Sequence, residues 1–133
     1  MIGDSITSAL YQKALDGTWQ RQKAISNNIA NEETPGYKAV KVSFEKELDL
    51  QVKKLQSNSG TAAEQVQNIN SIKNSNINAE AVTSTAARAD ENNVDLDAEN
   101  VDMSKTTMQY YYLVRGITDN YSRLKYAISE GKR

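Results

Sequence analysis

The sequence predicts a mainly α-helical protein whose two long terminal helices pair in a coiled-coil-like arrangement. Near both ends, apolar residues recur every three or four positions, which is the period of a stripe along a helix. Leu, Ile, Val and Phe together make up only about 20% of the 133 residues, too few for a large globular core. A chain of this kind is stable when its apolar stripes meet a partner, so we expect an assembly-forming protein.

The N-terminal stripe predicts a helix over residues 1–31. Gly17 lies inside it and weakens the helix by about 1 kcal/mol relative to alanine. The stripe is imperfect, because two of its positions are polar. Its positions alternate at spacings of four and three: Tyr11, Leu15, Thr18, Gln22, Ile25 and Ile29.

A second, cleaner stripe predicts a helix over residues 94–133, ending near Gly131. A sustained period of 3.5 residues is typical of a narrow coiled-coil seam rather than of a broad globular face. Such a helix would be about 50 Å long and cannot bury itself alone. The predicted packing seam of this helix comprises Leu96, Met103, Tyr110, Val114, Ile117, Tyr121, Leu124 and Ile128.

The acids at the start of this helix invite a calcium-loop interpretation. A helix–loop–helix calcium loop that began at Asp95 would need glycine at its sixth position and glutamate at its twelfth. Those positions hold Asn100 and Thr106. We therefore expect Asp95 and Asp97 to stabilise a helix start through the helix dipole, and we expect no metal site.

Between the helices, the sequence predicts two further regions. Residues 32–55 form a turn, a short extended segment in which Val40, Val42 and Phe44 alternate with polar residues, and a short amphipathic helix. Residues 56–93 are rich in Asn, Ser, Thr, Gln and Ala and have no strong period. They are predicted to form a flexible polar linker.

The only proline of the chain predicts the end of the first helix. Pro35 disfavours the helical conformation at Thr34, and a Pro-Gly pair suits a type II turn in which Gly36 has positive φ. We expect Tyr37 to fold back onto the helices in the direction that Gly36 permits. A simple helix stop does not explain Asn27 and Asn28.

Composition argues against catalysis and cofactors. The chain has no cysteine and no histidine, and its formal net charge is −1. Thiolate ligands, imidazole ligands and the commonest general base are therefore absent, and nothing indicates a nucleic-acid surface. No apolar run is long enough for a membrane span, and no cationic start precedes an apolar run. We expect no enzyme, no cofactor, no membrane insertion and no cleaved signal peptide.

One uninterrupted block of the sequence resembles the N-terminal signature of the bacterial flagellar axial proteins, the family of rod and hook subunits. In these proteins an NNIAN-type helix end is followed by TPGYK. The segment that begins Asn92-Asn93-Val94 resembles the start of the last helix of a proximal rod member, although Asn100 departs from the usual methionine. The matching residues of the first block are Asn27, Asn28, Ile29, Asn31, Thr34, Pro35, Gly36 and Tyr37.

This resemblance implies a structural subunit of the flagellar basal-body proximal rod, the helical drive shaft that transmits torque for motility. It implies export from the cytoplasm by the flagellar type III apparatus, without a cleaved signal. The implied partners are copies of the chain itself, FliE, other rod proteins, and MS-ring or export-gate components. The alternative from the stripes alone is a cytoplasmic coiled-coil adaptor or chaperone that binds a partner helix.

Overall fold

The computed structural model describes residues 2–57, 60–83 and 88–130, and over these residues the chain is mainly helical. No helix in these ranges is both long enough and apolar enough to cross a membrane. Four helices and a two-stranded antiparallel ribbon follow one another along the described chain: α1 (Ile2–Ala30), β1 (Val40–Ser43), α2 (Glu45–Ser57), α3 (Ala62–Asn74), β2 (Asn78–Ala81) and α4 (Leu96–Glu130).

The two terminal helices lie side by side and run in opposite directions. Near the start of α1, Tyr11 packs against Gly116 of α4, where an added Cβ would lie 2.7 Å from the tyrosine hydroxyl. Further along α1, Arg21 donates a hydrogen bond to Gln109 at 3.2 Å. The predicted start of α4 is confirmed, because the Asp95 carboxylate accepts the Ala98 backbone N–H at 3.1 Å.

The face of α4 that meets α1 is offset from the predicted stripe. Glu99 and Thr106 are buried, and Leu113 packs against the core. The predicted seam lies beside this line. Met103, Ile117 and Leu124 are half-buried, whereas the remaining seam positions of α4 are exposed in the single chain: Leu96, Tyr110, Val114, Tyr121 and Ile128.

The region predicted to be a flexible linker contains regular structure. Thr61 begins α3 with a capping box, in which its hydroxyl accepts the Glu64 N–H and the Glu64 carboxylate accepts the Thr61 N–H. Ile72 anchors this helix and is completely buried. The linker prediction failed here because α3 has only one buried apolar residue, so its hydrophobic period is weak.

The ribbon pairs β1 with β2 in a register that aligns Val40 with Ala81 and Ser43 with Asn78. The extended segment predicted around residues 40–44 therefore forms a strand, and α2 follows it directly. All four residues of β2 are exposed. The ribbon is thus a narrow layer that lies against α1 mainly through β1.

The apolar core is small and centres on Phe44, which packs with Ala14, Ala24 and Val42. Gly17 explains how the ring fits. A Cβ at this position would lie 2.4 Å from the Phe44 ring, closer than any real contact. The glycine that weakens α1 in isolation is therefore required for the helix to accept the ring.

Replacing this glycine should reverse its usual effect. Gly17→Ala would stabilise an isolated helix by about 1 kcal/mol. Here we expect a loss of about 1–3 kcal/mol in the free energy of unfolding, because the Phe44 ring must move. Urea denaturation followed by circular dichroism measures this change. Ser26→Ala, at an exposed site of α1, is the control and should be neutral or slightly stabilising.

Candidate assembly site at the turn after the first helix

The turn after α1 has the geometry that its sequence predicts. Gly36 has φ +73°, and the Tyr37 N–H donates to the Thr34 carbonyl at 3.3 Å. Positive φ at the third residue of a four-residue turn is the mark of type II geometry. Thr34, Pro35 and Gly36 are exposed, whereas Tyr37 is half-buried. The chain therefore presents the tip of this turn on its surface and folds the tyrosine inward.

Asn28 joins the end of α1 to the strand that follows. Its side chain is fully buried. The Asn28 amide donates to the Val40 carbonyl at 2.9 Å, and its oxygen accepts the Val40 N–H at 2.9 Å and the Tyr37 hydroxyl at 3.1 Å. One side chain thus pairs with β1 as a neighbouring strand would, and it also fixes the ring of Tyr37. The expectation that Tyr37 folds back onto α1 is confirmed.

Asn92, from the segment before α4, closes the end of α1. Its buried amide nitrogen donates to the backbone carbonyls of Asn31, Glu32 and Thr34 at 2.8–2.9 Å. The Asn92 oxygen accepts the Val94 N–H at 2.8 Å, which orients the amide. These three carbonyls belong to the residues that follow the last residue of α1. A residue about 60 positions away in the chain thus fixes the backbone just beyond the helix.

Asn93, the next residue, holds the same segment against the ribbon. Its oxygen accepts the Ala39 N–H at 2.7 Å, and its nitrogen donates to the Val82 carbonyl at 2.8 Å. The Asn93 backbone N–H donates to the Tyr37 carbonyl at 3.4 Å. The segment before α4 therefore contacts the turn, the residue before β1 and the residue after β2.

The exposed tip of the turn is tied to the same segment. The Gly36 N–H donates to the Asp90 carbonyl at 2.8 Å. Arg88 lies within 3.4 Å of the Glu32 carboxylate and 3.3 Å of the Asp90 carboxylate, and it also donates to the Glu32 carbonyl. The direction of the turn thus depends on chain that is distant in sequence.

A second connection between α1 and β1 is charged. Arg21 donates to the Val42 carbonyl at 3.0 Å and forms a two-point ion pair with Glu45, with both N–O distances 2.6 Å. The guanidinium also lies 4.6 Å from the centre of the Phe44 ring. Arg21 and Asn28 therefore cover the edge of β1 that faces away from β2.

Two opposing effects act on the pKa of Glu45. Partial burial alone would raise the pKa of Glu45, but hydrogen bonds from Arg21 and from backbone N–H groups, including that of Phe44, lower it to about 2. The carboxylate is therefore ionised over nearly the whole acid range.

The sequence-predicted residues divide into two groups in space. The turn and helix-end residues form one site, in which Asn31 accepts the Thr34 hydroxyl. Asn27 is exposed and provides its backbone carbonyl to Asn31, while Ile29 is half-buried. The seam positions extend along the helices, with Leu15 half-buried and Ile25 buried in α1.

Sequence reasoning missed the residues that hold the turn from outside. Asn92 and Asn93 entered only as part of a resemblance, and Arg21 and Glu45 had no assigned role. One signal was available in the sequence. An Asn-Asn pair lies shortly before the turn, at 27–28, and another lies shortly before α4, at 92–93. In each pair one amide is completely buried.

Comparison with known proteins places the turn in a recognised class. A family model described as "Flagella basal body rod protein" matches residues 12–38. The matched segment runs from α1 through the complete turn. It thus contains Asn28 and Tyr37, which the structure brings into contact.

Three relatives match almost the whole chain, and each is described as "Flagellar basal body rod protein FlgB". The Bacillus subtilis (strain 168) protein is 33% identical over 91% of this chain and 92% of its own length. The Escherichia coli (strain K12) protein is 29% identical over 96% and 98%. The Salmonella typhimurium (strain LT2) protein is 31% identical over 92% and 91%. The chain therefore belongs to the FlgB family of flagellar basal body rod proteins.

The two adjacent asparagines should differ sharply in importance. Asn28→Ala removes the partner of the Val40 N–H, the Val40 carbonyl and the Tyr37 hydroxyl. We expect a loss of about 2–4 kcal/mol in the free energy of unfolding, because buried polar groups lose their hydrogen bonds. Asn27→Ala, at an exposed position, should change it by less than about 0.5 kcal/mol. Urea denaturation of both variants tests this difference, and equal effects would contradict it.

The Arg21–Glu45 pair should contribute to stability in a defined pH window. Because folding lowers the pKa of Glu45 from 4.5 to about 2, the contribution is fully present above pH 4.5. It is lost as the pH falls toward 2. At neutral pH we expect the free energy of unfolding of the wild type to exceed that of Glu45→Gln by about 1 kcal/mol. The difference is small because solvent screens this partly exposed ion pair.

Thermal or urea unfolding between pH 7 and pH 2 measures that difference, which should shrink as the pH falls. Asp49→Asn is the control, because Asp49 forms an exposed ion pair with Lys53 on α2. A difference between wild type and Glu45→Gln that does not change with pH would show that the pair has no role in acid stability.

Proposed function

We propose that this chain is a structural subunit of the flagellar basal body rod and that the turn after α1 is its assembly joint. The family match is the observation that carries this proposal, because it covers α1 and the turn together. The relatives that share the length of the chain are described as basal body rod proteins. In this proposal the function of the chain is mechanical rather than catalytic.

The joint works by fixing the direction in which the chain leaves α1. Asn28 and Asn92 satisfy the backbone at this point with buried amides, so the turn has one arrangement. Its tip, at Thr34, Pro35 and Gly36, faces outward where a neighbouring subunit can contact it. A rod that transmits torque requires subunits whose contact surfaces hold fixed relative directions.

The terminal helices would form the wall of a helical shaft. In this proposal α1 and α4 pack in a coiled-coil-like way, and the exposed seam of α4 meets helices of adjacent subunits. Four apolar side chains of the seam support this role, because about 40–60% of each remains exposed in the described chain: Tyr110, Val114, Tyr121 and Ile128. Apolar surface of this extent on a helix is typical of an interaction surface.

The finer proposal is that the chain belongs to the proximal rod and reaches it unfolded through the type III export apparatus. The small core supports this, since a chain with few buried apolar side chains is unfolded at low cost. The partners would be copies of itself, FliE, other rod proteins and MS-ring or export-gate components. A cytoplasmic adaptor would instead remain in the cytosol after basal bodies are purified.

Gly36 offers the sharpest test of the joint. An added Cβ would have no neighbour within 4 Å at this position, so a substitution acts only through the positive φ. We expect Gly36→Val to change the turn, to abolish incorporation into basal bodies and motility, and to leave secretion of the chain intact. Immunoblots of purified basal bodies and of culture medium measure both steps.

Gly60→Val is the matched control. Gly60 also has positive φ, +64°, and meets only the end of the Gln65 side chain. It carries comparable backbone strain at a site distant in sequence from the turn. We expect it to assemble normally. Normal rods with Gly36→Val, or equal loss with both variants, would overturn the role of the turn.

A further inference from the structure

We propose that residues 88–94, the segment before α4, are a strap that fixes the turn after α1 only while α4 is docked on α1. The docking of α4, the closure of the strap and the shape of the turn then form one cooperative unit, which opens without the rest of the fold. A neighbouring subunit that holds α4 against α1 also fixes the turn. For this consequence in assembly, the proposal rests on the rod function proposed above.

The tip of the turn has little support of its own. A Cβ at Gly36 would have no neighbour within 4 Å, so side-chain packing does not hold this residue. Within the turn, the Tyr37 N–H reaches the Thr34 carbonyl at 3.3 Å. A shorter bond comes from the strap, where the Asp90 carbonyl accepts the Gly36 N–H at 2.8 Å. The direction of the tip therefore depends on the strap.

The strap itself is strained at Glu91. This residue has φ +62°, and among the described residues it is the non-glycine residue with positive φ. A residue with a Cβ adopts this conformation at an energetic cost. The conformation persists only where surrounding contacts hold it, here the bond from the Lys38 ammonium to the Glu91 carbonyl at 2.5 Å and the neighbouring bonds of Asn92. The strap therefore opens once those contacts are lost.

The strap leads directly into α4, and one amide serves both. The nitrogen of the Asn92 side chain donates to the Thr34 carbonyl at 2.8 Å, while its oxygen accepts the Val94 N–H at 2.8 Å. Val94 is buried, and α4 begins two residues later at Leu96. When α4 leaves α1, it takes Val94 with it and withdraws the Asn92 amide from the turn. The docking of α4 and the closure of the strap are thus one event.

The elements between the turn and the strap have contacts of their own. Phe44 packs with Ala14 of α1. In α3, Ile72 is completely buried, and the Ser71 hydroxyl donates to Gln51 of α2 at 3.0 Å. Separate sets of contacts open as separate cooperative units. Opening of the α4 unit therefore exposes the Gly36 N–H to solvent and leaves α2 and α3 protected.

Hydrogen exchange of the purified full chain measures this opening at single amides. The Gly36 N–H reports on the strap, and the amides at the end of α3 report on the rest of the fold. We expect Asn92→Ala to accelerate exchange at Gly36 about tenfold, because the turn loses its buried donor. The α3 amides should change by less than about twofold. Asn27→Ala, at an exposed position, is the control and should change neither.

Glu91 allows the strap to be tightened without touching the turn. Glycine accepts positive φ without strain, so Glu91→Gly should slow exchange at Gly36 about fivefold. In the Asn92→Ala background it should recover part of the lost protection. Glu91→Ala is the matched control, because it removes the same side chain but keeps the strained Cβ, and it should not slow exchange.

A change far from the strap tests whether the docking of α4 controls the turn. Leu113 packs against the core from α4, about 25 Å along the helix from its first residue. We expect Leu113→Ala to accelerate exchange at Gly36 about tenfold and to affect the α3 amides little. Ile72→Val, which opens a cavity under α3, should have the opposite pattern.

Three outcomes would each refute the strap. Equal acceleration at Gly36 and in α3 with Leu113→Ala would show a single global transition. Unchanged exchange at Gly36 with Asn92→Ala would show that the turn supports itself, and equal effects of Glu91→Gly and Glu91→Ala would show that the strap carries no strain. If circular dichroism shows that Asn92→Ala does not fold, the Glu91 and Leu113 variants decide.

These measurements use the purified chain, so their failure leaves the rod function intact. The rod function itself fails if the wild-type chain is absent from purified basal bodies.

Discussion

The end of α1 is the point on which the rest of the structure depends. The backbone just after α1 leaves the helix, and its buried carbonyls need hydrogen-bond donors from elsewhere in the chain. In this protein the buried amide of Asn92 donates to three of the carbonyls that follow α1. The segment before α4 must therefore lie at the end of α1, which in turn places α4 alongside it. One hydrogen-bonding requirement connects both ends of the chain.

Buried polar groups specify this fold more than apolar volume does. Ile72, Asn28, Asn92, Thr18 and Thr106 are the larger side chains that are completely buried among the described residues, and only the first is apolar. Satisfied polar networks select a single arrangement, because any slip leaves donors and acceptors without partners. A subunit that transmits force benefits from this selectivity. Its small core keeps the cost of unfolding modest.

Much of the apolar surface of α4 faces away from its own chain. Its buried residues, Glu99 and Thr106, are polar, and its tyrosines remain largely exposed, with Tyr111 and Tyr112 about 70% exposed. Exposed apolar surface of this kind on one helix is typical of an interaction surface. The same distribution explains why the seam in the sequence and the face toward α1 do not coincide.

The sequence by itself determined the helical class, the limits of α1 and α4 to within a few residues, the strand at 40–43 and the type II turn at Pro35-Gly36. These features depend on local chemistry: period, capping, and the backbone preferences of proline and glycine. The block from Asn27 to Tyr37 also revealed the family.

Only the tertiary structure decided the remaining features. It assigned α3 its place through a single buried residue, Ile72, and showed that Gly17 makes room for Phe44. It also showed which backbone groups Asn92 and Arg21 bind. In α4 it showed that Thr106 is buried, whereas Tyr110 is exposed. Each of these results depends on contacts between residues far apart in the chain. The local sequence pattern does not encode such contacts, because asparagine and glycine also occur commonly in solvent-exposed loops.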